Sequence, residues 1–115
     1  MILVLAGDVK KGVGCDGGCN ANTINQIKAN WYYTWEAQPK FQSPVQFVPM
    51  CWSPTRISQL TYSPHLLGFN EPDNAKQANT SQRDAGAVWP NLVAKTSNIG
   101  SPAMASNVVA TDSWL

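Results

Sequence analysis

The stretch Leu66-Leu67-Gly68-Phe69-Asn70-Glu71-Pro72-Asp73 passes abruptly from an apolar run into an amide, a carboxylate and a proline. The run is too short for an ordinary helix and too apolar for a solvent-facing strand. It therefore reads as a strand covered on both faces, as in a parallel sheet, with Pro72 closing a polar turn at its carboxyl end. Similar β-prone runs recur on either side of it: Gly12–Cys15, Asn30–Trp35, Val45–Met50 and Ile99–Ala103, with turn-forming residues between them.

The segments between these runs alternate helix with loop. Residues Asn22–Ala29 suit a short helix, with Asn22 as its cap and Ile24 and Ile27 on one side. Glu36–Pro44 contains Pro39 and Pro44 and reads as a loop. Ser53–Tyr62 opens Ser-Pro-Thr, which places Ser53 as cap and Pro54 at the first position of a short helix. The strongest helix begins at Ser81, where Asp84 completes a box-like start; Ala85, Val88, Trp89, Leu92 and Val93 share one face. Pro90 falls inside that pattern and predicts a kink or an early end, and Asp112–Leu115 resembles the start of a further helix. Strands alternating with helices or long crossovers define an α/β chain with a parallel sheet, either open and doubly wound or part of a barrel. At 115 residues the sequence is too short for a complete (β/α)8 barrel, which needs about 250.

Composition narrows the function classes. Lysine and arginine number 8 against 7 aspartates and glutamates, and only 13% of residues are charged, whereas Asn, Gln, Ser and Thr together number 33. A formal net charge of +1 gives no electrostatic footprint for nucleic acid or for an anionic membrane surface. No stretch approaches the roughly 18 apolar residues of a membrane span. Residues 1–10 read as a leader remnant, a ragged segment or a short strand, and residues 11–115 as the organised part. Cys15, Cys19 and Cys51 lack the paired spacing of a metal site, so no metal is expected; two of them form a disulfide, or all three are buried thiols.

In parallel α/β architectures the chemistry sits just past the carboxyl ends of the strands. Those positions here are Cys15-Asp16, Trp35-Glu36, Trp52-Ser53, Asn70-Glu71 and Ser101-Pro102, which include both glutamates of the chain. Flat aromatic faces bind the C–H faces of sugar rings, while amides and carboxylates bind hydroxyls, so the rim has the composition of a neutral-sugar cleft. Glu71, after a buried strand, is the candidate proton donor to a glycosidic oxygen, and Asn70 beside it can donate to a sugar hydroxyl. A polar turn without chemistry is the other reading of the same four residues. Trp89, Trp31 and Tyr32 are expected in the core, and His65 is expected to precede the fourth strand, away from the cleft.

Several strings taken together resemble glycoside hydrolase family 128: Trp31-Tyr32-Tyr33-Thr34-Trp35, Phe47 to Trp52, Leu66 to Asp73 with Gln77-Ala78-Asn79, Trp89-Pro90-x-Leu92, and Gly100-Ser101-Pro102-Ala103. The resemblance runs in order from about Lys11 to Leu115. It implies a (β/α)8 TIM-type barrel of which roughly the first five strands are present, and endo-β-1,3-glucanase chemistry of the retaining kind with no cofactor. It also implies that Glu71 is the acid/base, that Asn70 binds a hydroxyl, and that Tyr33, Trp35 and Trp52 line an aromatic cleft. In the family the nucleophile is a second glutamate after the seventh strand, which this sequence does not contain. Glu36 and Asp73 are not placed to replace it. The expected partner is β-1,3-glucan or a related polysaccharide, in an extracellular or cell-wall setting. The alternatives are a glucan-binding module without catalysis, or an inactive fragment that self-associates through an open sheet edge.

Overall fold

The computed structural model describes residues 10–106 and Trp114. Strands β1 (Gly12–Gly14), β2 (Trp31–Tyr33) and β3 (Gln46–Phe47) form one sheet in that order, and β4 (Ser63–Leu66) pairs with β5 (Thr96–Ile99) in a second. Every pairing is parallel: Val13 stands opposite Tyr32, Tyr32 opposite Phe47, and Leu66 opposite Ile99. A parallel bridge between Met50 and Leu67 carries the ladder from the first sheet to the second, and one between Asn70 and Ala103 extends it beyond β4 and β5. The chain is therefore an α/β structure of short parallel strands, as the alternation of runs and helices requires.

Helix α1 (Ala21–Gln26) starts one turn-step earlier than its apolar spacing indicates. Its cap is Asn20, whose side chain accepts from the backbone N–H groups of Asn22 and Thr23, while Thr23 returns a contact to the Asn20 N–H. Asn22 is not the cap, because the reciprocal box with Thr23 satisfies two orphan amides at once. Ile24 is fully buried, but Ile27 ends the helix and is exposed.

The segment after Ser53 is a 3₁₀ helix (Pro54–Gln59), not an α-helix. Ser53 Oγ hydrogen-bonds the Thr55 hydroxyl at 2.8 Å and caps no amide. Helix α2 (Gln82–Val93) has the expected start, with Ser81 Oγ accepting from the Asp84 N–H at 3.1 Å. It runs through Pro90 without ending there. The amide that proline lacks would have faced the carbonyl of Gly86, at an exposed and open part of the helix, and Ala94 N–H still closes on Pro90 O.

The fourth strand begins before its apolar run, so His65 lies inside β4 opposite Asn98 and not ahead of it. Backbone pairing with β5 recruits Ser63, Pro64 and His65 although they carry no β-type pattern. The core under the second sheet gathers Leu66, Phe69, Ala85, Leu92, Cys51 and Leu60, with Trp89 edge-on to Phe69 at 5.6 Å. A second cluster under the first sheet joins Cys15, Ile24, Ala29 and Tyr32. Tyr32 is buried as expected, but Trp31 is only half-buried and points to the other face. Cys15 and Cys19 form a disulfide, and Cys51 is a buried free thiol. The expected helix at Asp112–Leu115 and the segment before Lys10 lie outside the described residues, apart from Trp114, whose indole donates to Thr80 O at 2.8 Å.

Candidate functional site

The carboxyl ends of the strands are knitted together through the backbone. Cys15 N–H donates to Tyr33 O at 2.8 Å, Met50 N–H to Glu36 O at 3.0 Å, Asn70 N–H to Trp52 O at 3.0 Å, and Glu71 N–H to Ala103 O at 2.6 Å. The structure therefore brings Trp52, Asn70, Glu71 and the turn after β5 into one contiguous rim. The disulfide at Cys15 fixes the turn that follows β1 on the same rim.

Asn70 is buried, and its side-chain amide donates to Gln77 Oε1 at 3.1 Å. One of its two N–H groups is thus committed, and among the described residues the other N–H and the side-chain oxygen take no partner. Glu71 has φ of 44°, in the left-handed region that costs a non-glycine residue on the order of 1–2 kcal/mol. Three hydrogen bonds hold it there: its N–H to Ala103, its carbonyl from Asn74 N–H at 3.0 Å, and its Oε2 from Asn74 Nδ2 at 3.1 Å. Strain that is over-determined by surrounding bonds is characteristic of functional positions.

Asp73 sits two residues on but faces the neighbouring loop. Its carboxylate accepts from Ala105 N–H at 2.9 Å, Ser106 N–H at 2.8 Å and the Ser106 hydroxyl. These donors, the Ser106 hydroxyl foremost, hold its carboxyl below the usual value of 3.8. A carboxylate so engaged clamps two loops together.

At the carboxyl end of β2, Tyr33 packs on Trp35, two residues beyond, at 4.6 Å between ring centroids, and also stacks on Trp31 at 6.4 Å. Trp35, like Glu71, is held at positive φ, 59°, directly after its strand. The ladder leans on β1, where Gly12 and Gly14 leave the room that its rings occupy. Trp31 belongs to this ladder and not to the core. The clue is periodic: Trp31, Tyr33 and Trp35 alternate along an extended segment and so share a face. Asn74 and Gln77, the partners of Glu71 and Asn70, had no such signal, because their roles depend on how the loop closes.

The family model for the glycosyl hydrolase catalytic core matches residues 12–115, and the chain belongs to that family. Solved structures that resemble the chain include members of glycoside hydrolase family 128. An endo-β-1,3-glucanase of Amycolatopsis mediterranei, determined with laminaripentaose, is 31% identical with a TM-score of 0.76 over 90% of this chain and 48% of its own. A curdlan-specific exo-β-1,3-glucanase of Blastomyces gilchristii, determined with glucose, is 30% identical with a TM-score of 0.60 over 83% of this chain and 47% of its own. An oligosaccharide-binding protein of Trichoderma gamsii, 23% identical with a TM-score of 0.65, shares the fold. The chain spans about half the length of these structures. No curated protein sequence matches it.

Proposed function

We propose that residues 11–115 form the first five strands of a (β/α)8 barrel that cleaves β-1,3-glucan with retention, and that Glu71 is its general acid/base. The observation that carries this is the setting of Glu71: a strained residue held by two backbone hydrogen bonds and one to its carboxyl, just past the apolar run Leu66–Phe69 and beside a buried Asn70. In this reading Glu71 protonates the glycosidic oxygen as the bond to the anomeric carbon breaks, while a carboxylate outside these 115 residues attacks that carbon. Glu71 then takes the proton from the water that releases the sugar. Asn70 holds a hydroxyl of the reacting sugar, and Tyr33, Trp35 and Trp52 receive the flat faces of neighbouring glucose units. Identity of 31% to an endo-β-1,3-glucanase seen with laminaripentaose supports glucan as the ligand. The disulfide suits an extracellular or cell-wall setting.

The test is hydrolysis of laminarin by a chain that includes the remaining strands. Glu71→Gln lowers kcat by about 10²–10⁴-fold while tryptophan fluorescence still reports oligosaccharide binding; an unchanged rate sinks the assignment.

The aromatic ladder favours a second reading, in which the chain binds glucan and does not cut it. Laminari-oligosaccharides then quench tryptophan fluorescence of this chain with no release of reducing ends. Self-association through the edges of β1 or β5, which have no strand partner among the described residues, is a further property of this reading, checked by sedimentation.

A further inference from the structure

The turn after Glu71 contains an asparagine whose amide has only one consistent orientation. Asn74 Oδ1 accepts from Lys76 N–H at 3.0 Å, so the other half of the same amide, Nδ2, is the part that faces Glu71 Oε2 at 3.1 Å. The backbone of Asn74 is fixed as well, donating from its N–H to Glu71 O at 3.0 Å and accepting from Gln77 N–H at 2.9 Å. Gln77 in turn takes the amide of Asn70. Asn74 is therefore immobilised at both ends of its side chain and at both sides of its peptide unit, and it gives one donor to one oxygen of the glutamate. Among the described residues no donor meets Oε1.

We infer that Asn74 is a positioning residue: it pins Glu71 through Oε2, sets the plane of the carboxyl group, and leaves Oε1 as the atom that carries the proton to the glycosidic oxygen. The inference rests on the reading of Glu71 as acid/base. A carboxyl at the tip of a turn, with no Asn74, rotates about its last side-chain torsion and presents either oxygen at varying angle. With Asn74 in place the rotation is lost, and proton transfer starts from one geometry. A misplacement of about 1 Å at such a centre costs on the order of 10²-fold in rate.

The test uses the side-chain amide of Asn74 as its own reporter, in this chain, by ¹⁵N–¹H correlation across the acidic pH range. One of the two Nδ2 protons moves downfield as the Glu71 carboxylate forms, and the movement disappears in Glu71→Gln. An Asn74 amide that ignores this titration overturns the inference. In a form that turns over laminarin, Asn74→Ala removes the donor to Glu71 without setting a second carboxylate beside it, as Asn74→Asp would. It lowers kcat at least 10-fold with KM within about twofold; an unaltered kcat overturns the inference as well. If Glu71→Gln leaves turnover intact while the Asn74 amide still titrates, the reading of Glu71 has failed and the pinning itself stands.

Discussion

The indole of Trp31 lies directly over Gly12, so that a Cβ at Gly12 overlaps the six-membered ring. Gly12→Ala therefore pushes Trp31 off its place and disturbs the Tyr33 and Trp35 rings stacked behind it, at a cost of about 1–3 kcal/mol. Gly86, on the exposed face of α2, has nothing within 4 Å of the same added atom. There the substitution removes backbone entropy from the unfolded helix and stabilises by about 1 kcal/mol. Urea midpoints of the two alanine variants should move in opposite directions, and near-UV circular dichroism should change only for Gly12→Ala.

Asp73 ties the loop after β4 to residues 105 and 106, and its carboxyl titrates below 3.8 because Ser106 and Ala105 donate to the ionised form. A depressed folded-state value means that the tie stabilises fully above the ordinary carboxyl range and fades as pH falls through the lowered value. Asp73→Ala should lower the melting temperature at pH 7, and the gap between variant and parent should narrow as pH falls below the usual carboxyl value of 3.8. A gap that stays constant from pH 7 to pH 2 removes the charge from the account.

Much of this arrangement was legible in the residues, and the failures have physical causes. Leu66 to Asn70 is mostly buried, as its apolar side chains predict, but only Leu66 lies within β4 while Leu67 and Asn70 make isolated parallel bridges; the helix at Ser81 announces itself by cap and stripe together. His65 was misplaced because β4 extends by backbone pairing with β5, a tertiary contact that Ser63-Pro64-His65 does not encode locally. Asn20, and not Asn22, caps α1 because Thr23 stands three residues after it and closes the reciprocal box. In the rim, residue type and place single out Glu71 and Asn70 as candidates. They do not single out Asn74 and Gln77, since a loop's internal hydrogen bonds follow from its closed shape and not from any period in the sequence.

Cys51 offers a chemical check on the core. Its thiol is fully enclosed among Leu60, Leu66 and Phe69, donates to Ser53 O at 3.3 Å, and is pushed up to about 11 by burial. A thiol in that state is neither ionised nor reachable at pH 8. Iodoacetamide should therefore leave the native chain unlabelled over hours and modify one cysteine in denaturant without reductant, with Cys15 and Cys19 joined. Rapid native labelling at Cys51 contradicts the packing around it.

Thr34 stands between Tyr33 and Trp35 with 1% of its surface exposed, and its hydroxyl has no hydrogen-bond partner among the described residues. A buried hydroxyl without a partner costs about 1–3 kcal/mol relative to an apolar group of the same shape. Valine has that shape and keeps the β-branch that suits the end of β2. Thr34→Val should accordingly raise the urea midpoint by the equivalent of about 1 kcal/mol, with the aromatic circular dichroism of the Trp31, Tyr33 and Trp35 ladder unchanged. Destabilisation by a similar amount means that the hydroxyl is satisfied in solution.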